Sequence, residues 1–338
     1  MNVFELTRAL IQIPSISGDE GRVASFLAEY LLDAGFKAEL QDIGDHRPNV
    51  YARRGDPDIV LSTHIDTVPP YVEFREDDEF IYGRGACDAK GLVAAMVKAG
   101  EALIESGVSD FGLLFLVGEE AGSHGARAAN TIANRSRFLI NGEPTESKLA
   151  LGSKGALRAI LKSVGRAAHA AYPERGESAI EKLIDVLDDF RRAELPVDQT
   201  LGKTTMNIGF ISGGVAANVI PPNAEAELMF RVVTDTVSLK GRIEDIVAGR
   251  TGIEYGFECN PVFMEKLDGF ETTVVSFTTD IPMLTNWGKP LLYGPGSILD
   301  AHTANERISK KDLEQAVGIY ADMLKKLIVK LNGGRAVR

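Results

Sequence analysis

From Val3 to Ala34 the apolar residues recur three and four apart, the period of a helix with one buried face, and the pattern breaks at Ile13-Pro14-Ser15-Ile16-Ser17-Gly18-Asp19-Glu20. This stretch predicts two helices around a loop, with Ser17 and Glu20 at the spacing of a capping box for the second. Short apolar runs ending in polar residues follow: Asp58 to Thr63, Leu113 to Gly118 and Arg137 to Asn141, with helical periodicity from Lys90 to Ser106. Such alternation of strand and helix predicts an α/β domain with a mixed, largely parallel sheet flanked by helices.

The pattern changes after Gly152-Ser153-Lys154-Gly155. It then reads as strand (Ala156 to Val164), helix (Ser178 to Arg192), strand (Thr205 to Ser212), strand (Ala224 to Val233), helix (Val237 to Ala248) and strand (Ile253 to Asn260). That is the ferredoxin-like β-α-β-β-α-β order, long enough to form its own core, and it predicts an inserted domain over residues 155–265. A Gly/Pro-rich segment (Gly288 to Gly296) and a helix from Ser309, capped through Ser309-x-x-Asp312, return the chain to the first domain, which comprises 1–154 and 266–338. The length of 338 residues agrees with about two domains at roughly 150 residues each.

Composition narrows the partners. The apolar and charged fractions, 44% and 25%, exclude a disordered or fibrous chain. Acidic residues outnumber basic ones 48 to 37, for a net charge of −11 without a large Lys/Arg cluster, so nucleic acid is not an expected partner. Cys87 and Cys259 form no spaced metal pair and are too few to staple a secreted fold, which points to a reducing compartment. No apolar run approaches the roughly 18 residues that span a bilayer, and the N-terminus is patterned as an amphipathic helix instead of a signal peptide. The expectation is a cytoplasmic chain with no membrane partner.

Acidic and imidazole side chains gather where the predicted strands end. His64 and Asp66 are two apart, so an extended backbone points both the same way; the pair reads as a metal ligand oriented by a carboxylate or as a capped turn. Asp88, in Tyr82-Gly83-Arg84-Gly85-Ala86-Cys87-Asp88-Ala89-Lys90-Gly91, directly precedes a helical pattern, and taken without its neighbours it reads as a helix N-cap before it reads as a ligand. The glycines there lack the third glycine and the leading strand of a dinucleotide loop. Glu119 and Glu120 end the run Leu113 to Gly118 and point different ways, so one can bind a metal while its neighbour faces a substrate; a solvated turn is the alternative. Glu143 ends another run before Pro144. Five carboxylates at the carboxyl ends of parallel strands would repel one another strongly unless cations neutralise them. Mixed His and carboxylate donors without cysteine suit zinc, cobalt or manganese, and a dinuclear site of this kind serves hydrolysis.

Five ordered motifs carry a resemblance over nearly the whole chain: Ser62-Thr63-His64-Ile65-Asp66-Thr67-Val68-Pro69, the Tyr82–Gly85 run into Asp88-Ala89-Lys90-Gly91, Glu119-Glu120, Gly142-Glu143-Pro144 and Ala301-His302-Thr303-Ala304-Asn305-Glu306. Together they resemble the dinuclear zinc amidohydrolase and peptidase family of acetylornithine deacetylase, succinyl-diaminopimelate desuccinylase, aminoacylase and glutamate carboxypeptidase. The resemblance implies two divalent metal ions, zinc before cobalt or manganese, with Asp88 bridging, His64 and Glu143 completing one site, and Glu120 and His302 completing the other. It implies Glu119 as general base, Asp66 as the carboxylate behind His64, and a cis bond after Asp88. The inserted domain would be the family's lid and dimerisation domain, making a homodimer. Its Gly165-Arg166-Ala167-Ala168-His169-Ala170-Ala171-Tyr172-Pro173 segment implies His169 as the group that stabilises the oxyanion, often across the subunit boundary. Gly213-Gly214-Val215-Ala216-Ala217-Asn218-Val219-Ile220-Pro221 and Arg231 resemble the segment that binds substrate, although Arg231 alone reads equally as a surface ion pair.

The shared ligands imply hydrolysis of an N-acyl amino acid without naming the acyl group. Val275 to Pro282 and Leu292 to Gly296 look most like acetylornithine and acetylcitrulline deacetylases, so N-acetyl-ornithine deacetylation in arginine biosynthesis is the expected activity. Other deacylases, a carrier-protein lysine or ornithine hydrolase and metallo-dipeptidases or carboxypeptidases stay open. An inactive metal-binding protein would be expected to have lost a ligand, and none is lost. Lid motion about Ser153 to Gly155 and Pro261 to Leu267 is expected from the division of site residues between domains. His46 and His124 match no ligand position, and both cysteines are expected to pack in the interior.

Overall fold

The computed structural model describes residues 1–333, so the last five residues of the expected 266–338 stretch lie outside it. The chain forms two compact units, one of Met1–Leu151, Met264–Thr273 and the residues from Thr279 onward, the other of Gly152–Phe263 and Val274–Thr278. The first holds a six-stranded sheet in the order Lys37–Asp42, Pro48–Arg54, Phe111–Leu116, Ile59–His64, Phe138–Asn141, Lys289–Leu292. Its first two pairings are antiparallel and the other three parallel.

Burial on both faces explains why the central strands read as unbroken apolar runs. Along Ile59–His64, Ile59 and Leu61 enter the main core while Val60 points to a second cluster with Leu114, Leu139 and Trp287. Helices Val3–Ile11, Gly21–Asp33, Lys90–Glu105 and Lys310–Gly333 cover the main-core face through Leu6, Leu27, Val93 and Leu324. Lys90–Glu105 is buried along its first two turns, which its small residues permit. A Cβ at Gly91 would lie 2.3 Å from the Ala86 carbonyl, so only glycine lets this helix start so close to the preceding turn. The opposite face is closed by the short helix His124–Ala129 and Trp287, whose ring meets Tyr51 edge-on.

Two expectations need correction. The strands Lys37–Asp42 and Pro48–Arg54 were not foreseen, because the first is an exposed edge strand with hardly any apolar pattern. Ser17 and Glu20 form no capping box. Glu20 itself occupies the N-cap position of Gly21–Asp33 in an αR conformation, and its buried carboxylate takes two hydrogen bonds of 2.7 Å from Arg47. Ser17 turns its hydroxyl to Asp66. A capping box does form one helix earlier, where Asn2 and Glu5 satisfy each other's backbone N–H groups. The Ser309 cap is present, its hydroxyl accepting the Asp312 N–H at 3.2 Å.

In the second unit four antiparallel strands run in the order Thr205–Gly213, Asn223–Val232, Gly155–Val164, Gly252–Cys259. Strict alternation along Asn223–Val232 turns Ala224, Ala226, Leu228, Phe230 and Val232 inward. They meet Leu183, Val186 and Phe190 of Ala179–Arg192 and Leu239 and Ile243 of Thr236–Val247. This core is separate from the two of the first unit.

The Glu20–Arg47 pair gives a stability test. Arg47→Met leaves a fully buried carboxylate uncompensated and is expected to destabilise the first unit by about 3 kcal/mol, with Glu20→Gln/Arg47→Met recovering most of the loss. Trp287, the sole tryptophan, reports urea unfolding of that unit, and a midpoint unchanged by Arg47→Met would contradict the expectation.

Candidate active site

The parallel strands deliver their polar residues to one end of the sheet. His64 ends Ile59–His64 and Asp66 follows it; Glu119 and Glu120 follow Phe111–Leu116; Glu143 follows Phe138–Asn141. Asp88 lies on the turn before Lys90–Glu105, and His302 on the segment between Lys289–Leu292 and the last helix. His302 is held at φ +62°, a left-handed conformation that a non-glycine residue adopts at a cost and that often marks a functional position.

Asp88 sits between two histidines. His64 Nε2 is 3.0 Å from Asp88 Oδ1 and 3.9 Å from Glu143 Oε2, while His302 Nε2 is 3.2 Å from Asp88 Oδ2 and 2.8 Å from Glu120 Oε1. The donor atoms of His64, Asp88 and Glu143 lie within 4.8 Å of one another, as do those of Asp88, Glu120 and His302. Asp88 is common to both triads, one oxygen facing each. It does not cap the helix: Ala89 holds the N-cap position without a side-chain bond, and the Asp88–Ala89 peptide bond is cis.

Asp66 organises the surroundings. Its Oδ1 accepts the Glu119 N–H at 3.0 Å, and its Oδ2 accepts the Glu120 N–H at 3.2 Å and the Ser17 hydroxyl at 2.6 Å. His64 Nδ1 lies 3.0 Å from the Asp66 carbonyl oxygen and 3.4 Å from Oδ1. One carboxylate thereby holds the ring of His64 and the backbone that carries Glu119 and Glu120. The loop after the first helix locks this arrangement, with Ser15 donating its hydroxyl to the Ile65 carbonyl at 2.7 Å.

The charges are mutually dependent. Burial opposes the His64 cation, yet Asp66 and Asp88 outweigh it and hold the imidazole well above its ordinary pKa. Hydrogen bonds to the Asp88 and Glu120 carboxylates raise His302 to about 10. Burial would raise Asp88, but His302 and His64 bring it below the usual carboxylate range. Burial pushes Glu119 and Glu143 well up, helped by neighbouring carboxylates and opposed by His64. Glu143 Oε1 is buried with no hydrogen-bond partner. Two imidazoles and three carboxylates, one of them with an oxygen left unpartnered and no thiolate among them, fit a pair of divalent cations that prefer nitrogen and oxygen donors.

The structure thus brings together His64, Asp66, Asp88, Glu119, Glu120, Glu143 and His302, all in the first unit. His169, Asn218 and Arg231 lie in the second. There His169 and Asn218 occupy neighbouring segments, with His169 bridged to Val219 and the Ala170 N–H donating to the Asn218 carbonyl, while Arg231 lies on the sheet opposite Thr205 and Ala156. His46 is exposed in a turn and His124 begins a helix; both cysteines are free and buried.

Sequence reasoning missed three buried residues. Asp280 has one oxygen without a partner and is raised to about 7 by burial. Lys90 is lowered to about 7 by burial and donates to the Ile13 carbonyl at 2.6 Å. Glu306 pairs with Arg84 at 2.7 Å. Glu306 and Lys90 stood inside quoted motifs, but a lone charge near a helix carries no mark of burial.

The chain matches the family described as Peptidase family M20/M25/M40 over residues 60–326. It is 37% identical to a probable carboxypeptidase of Aspergillus clavatus over 363 residues, covering 95% of this chain and 88% of the relative. Among solved structures, aminopeptidase PepT of Bacillus cereus superposes with a TM-score of 0.81 at 18% identity, covering 97% of this chain and 98% of that one. The YXEP protein of Bacillus subtilis, described as a dinuclear metal binding peptidase, superposes with a TM-score of 0.70 at 14% identity, covering 96% and 98%. Among the described residues no helix is long and apolar enough to cross a membrane.

Cation binding to the metal-free protein must displace protons, because His64 and His302 carry them at neutral pH when their pKa values are raised. Affinity for Co²⁺ is therefore expected to rise with pH between about 6 and 8, with at least about one proton released per protein. Calorimetry in buffers of different ionisation enthalpy measures the release, and a pH-independent affinity would refute it.

Proposed function

The chain belongs to the M20/M25/M40 peptidase family, whose metal-dependent hydrolysis is the premise from which we propose its activity: cleavage of the amide bond that joins an acyl group to an α-amino acid. The observation that carries this reading is Asp88 shared between two ligand triads, with Glu119 beside a ligand yet in neither triad. His64 and Glu143 would hold one cation with Asp88, and Glu120 and His302 the other. Two such ions, zinc before cobalt or manganese, supply polarisation of the scissile carbonyl and acidification of water.

The remaining work falls to the chain's own residues. Glu119, whose backbone Asp66 fixes, takes a proton from the attacking water and later delivers it to the leaving amine. Burial holds its carboxyl above the ordinary range, the direction that makes the carboxylate a stronger proton acceptor. Asp66 keeps His64 oriented. His169 is assigned to the developing oxyanion, from its own subunit or a partner in a homodimer built through the second unit. Asn218 and Arg231 are assigned to the substrate, with the guanidinium suited to a carboxylate.

A carboxypeptidase and an N-acyl amino acid deacylase break the same bond, an amide whose amine side carries a free carboxylate. The name of the Aspergillus relative supports a peptidyl acyl group. The segments Val275 to Pro282 and Leu292 to Gly296 favour the narrower reading, deacetylation of N-acetyl-ornithine, a step of arginine biosynthesis that suits a cytoplasmic enzyme.

Protein reloaded with zinc or cobalt, assayed for amine release from N-acetyl-ornithine, N-acetyl-citrulline, N-succinyl-diaminopimelate and short peptides, separates these readings. Glu119→Gln is expected to keep both ions and lose activity by about 100- to 10,000-fold in kcat. Full activity in that variant would remove Glu119 from the role, and no turnover of any substrate with two ions bound would overturn the proposed reaction.

A further inference from the structure

We propose that Glu306 is a positioning residue that fastens the segment carrying His302 to the turn carrying Asp88, so that both cation positions are set as one unit. The proposal rests on Asp88 being the shared ligand.

The turn from Gly85 to Asp88 bends until three backbone N–H groups converge on a single oxygen. Glu306 Oε1 accepts from Gly85 at 2.9 Å, Cys87 at 3.3 Å and Asp88 at 3.2 Å. Its other oxygen accepts from Arg84 Nη1 at 2.7 Å, and that guanidinium also donates to the Pro70 and Thr303 carbonyls. The Glu306 carbonyl accepts the Gly83 N–H at 3.1 Å, so the next residues continue as a strand, Arg307–Ser309, paired with Phe80–Tyr82. Glu306 is fully buried and Arg84 almost so.

Geometry makes the carboxylate specific. An ionised carboxylate accepts on both oxygens, whereas glutamine has one accepting oxygen and one donating NH₂. Glutamine at 306 could serve the three N–H groups or Arg84, but its NH₂ would then face a donor on the other side. The stretch from His302 to Glu306 is anchored on the Asp88 turn at both ends, by His302 Nε2 on the side chain and by Glu306 on the backbone. Glu306 touches the Asp88 backbone and not the carboxylate oxygens facing the histidines, so it acts through Asp88. Displacing that turn moves the one ligand both positions share. Losing His302 removes a ligand from one position only.

This difference defines the test, made on the full chain by Zn²⁺ competition with a chromophoric chelator and by the absorption spectrum of the Co²⁺ form. Glu306→Gln, shown folded by far-UV circular dichroism, is expected to weaken both ions by about tenfold or more and to alter the Co²⁺ bands. His302→Ala is expected to weaken one ion. Should Glu306→Gln fail to fold, Arg84→Lys, which replaces the planar fork reaching Pro70 through Nε and Thr303 and Glu306 through Nη1 with a single nitrogen, is expected to weaken both ions in the same way. Folded Glu306→Gln or Arg84→Lys that binds both ions within about twofold of the parent, with an unchanged Co²⁺ spectrum, overturns the proposal. Asp88→Asn is expected to lose both ions; if it binds them normally, the assignment of Asp88 falls, and the proposal with it.

Discussion

The loops at the carboxyl ends of the first unit's parallel strands answer to the repulsion among carboxylates packed around Asp88. Unpaired, such a group of buried acids would push the strand ends apart or draw in protons. The fold meets this partly with its own cations, since His64 and His302 flank Asp88 and both are shifted toward their charged forms. It stops short of full compensation, because Glu119 and Glu143 are still driven toward protonation and Glu143 keeps an oxygen without a partner. The result is a centre whose electrostatic shortfall matches added positive charge.

The scaffold around that centre is closely packed and hydrogen-bonded. Parallel strands buried on both faces fix where each acid emerges, and the glycine at position 91 lets the next helix begin against the turn that carries Asp88. Backbone N–H groups supply much of the remaining order: Asp66 collects two of them and Glu306 three. These two buried acids divide the work, one fixing the loop of Glu119 and Glu120, the other the turn of Asp88.

The legible parts of the fold were those where period and burial coincide. The central strands and the helices announced themselves by apolar pattern, and in the second unit the long strands and both helices could be followed from their periods, while the two-residue strands Val197–Asp198 and Gly202–Lys203 were too short to carry one. The edge strand Lys37–Asp42 escaped because exposure on both faces erases a period-two signal. The acids at the strand ends were visible by their position after apolar runs. Glu306 and Asp280 were not, since what distinguishes a buried acid is the set of neighbours that folding brings to it, and those neighbours are distant in sequence. Ser17 and Glu20 show the reverse case: a local motif was present, but a tertiary partner outcompeted it for each side chain.

The interleaving of the two units along the chain also dictates an order of events at the ribosome. Nearly all of the second unit is one continuous stretch, Gly152–Phe263, with a core of its own, and it leaves the exit tunnel complete before the first unit has its edge strand Lys289–Leu292 or its last helix. Domains tend to fold as units during synthesis, so the nascent first unit waits with an unfinished sheet and exposed strand edges while the later segment closes into shape. His302 emerges near the end of that wait. Until Lys289–Leu292 has emerged, the strand Phe138–Asn141 lacks its outer partner, and that open edge is the surface most in need of protection from aggregation.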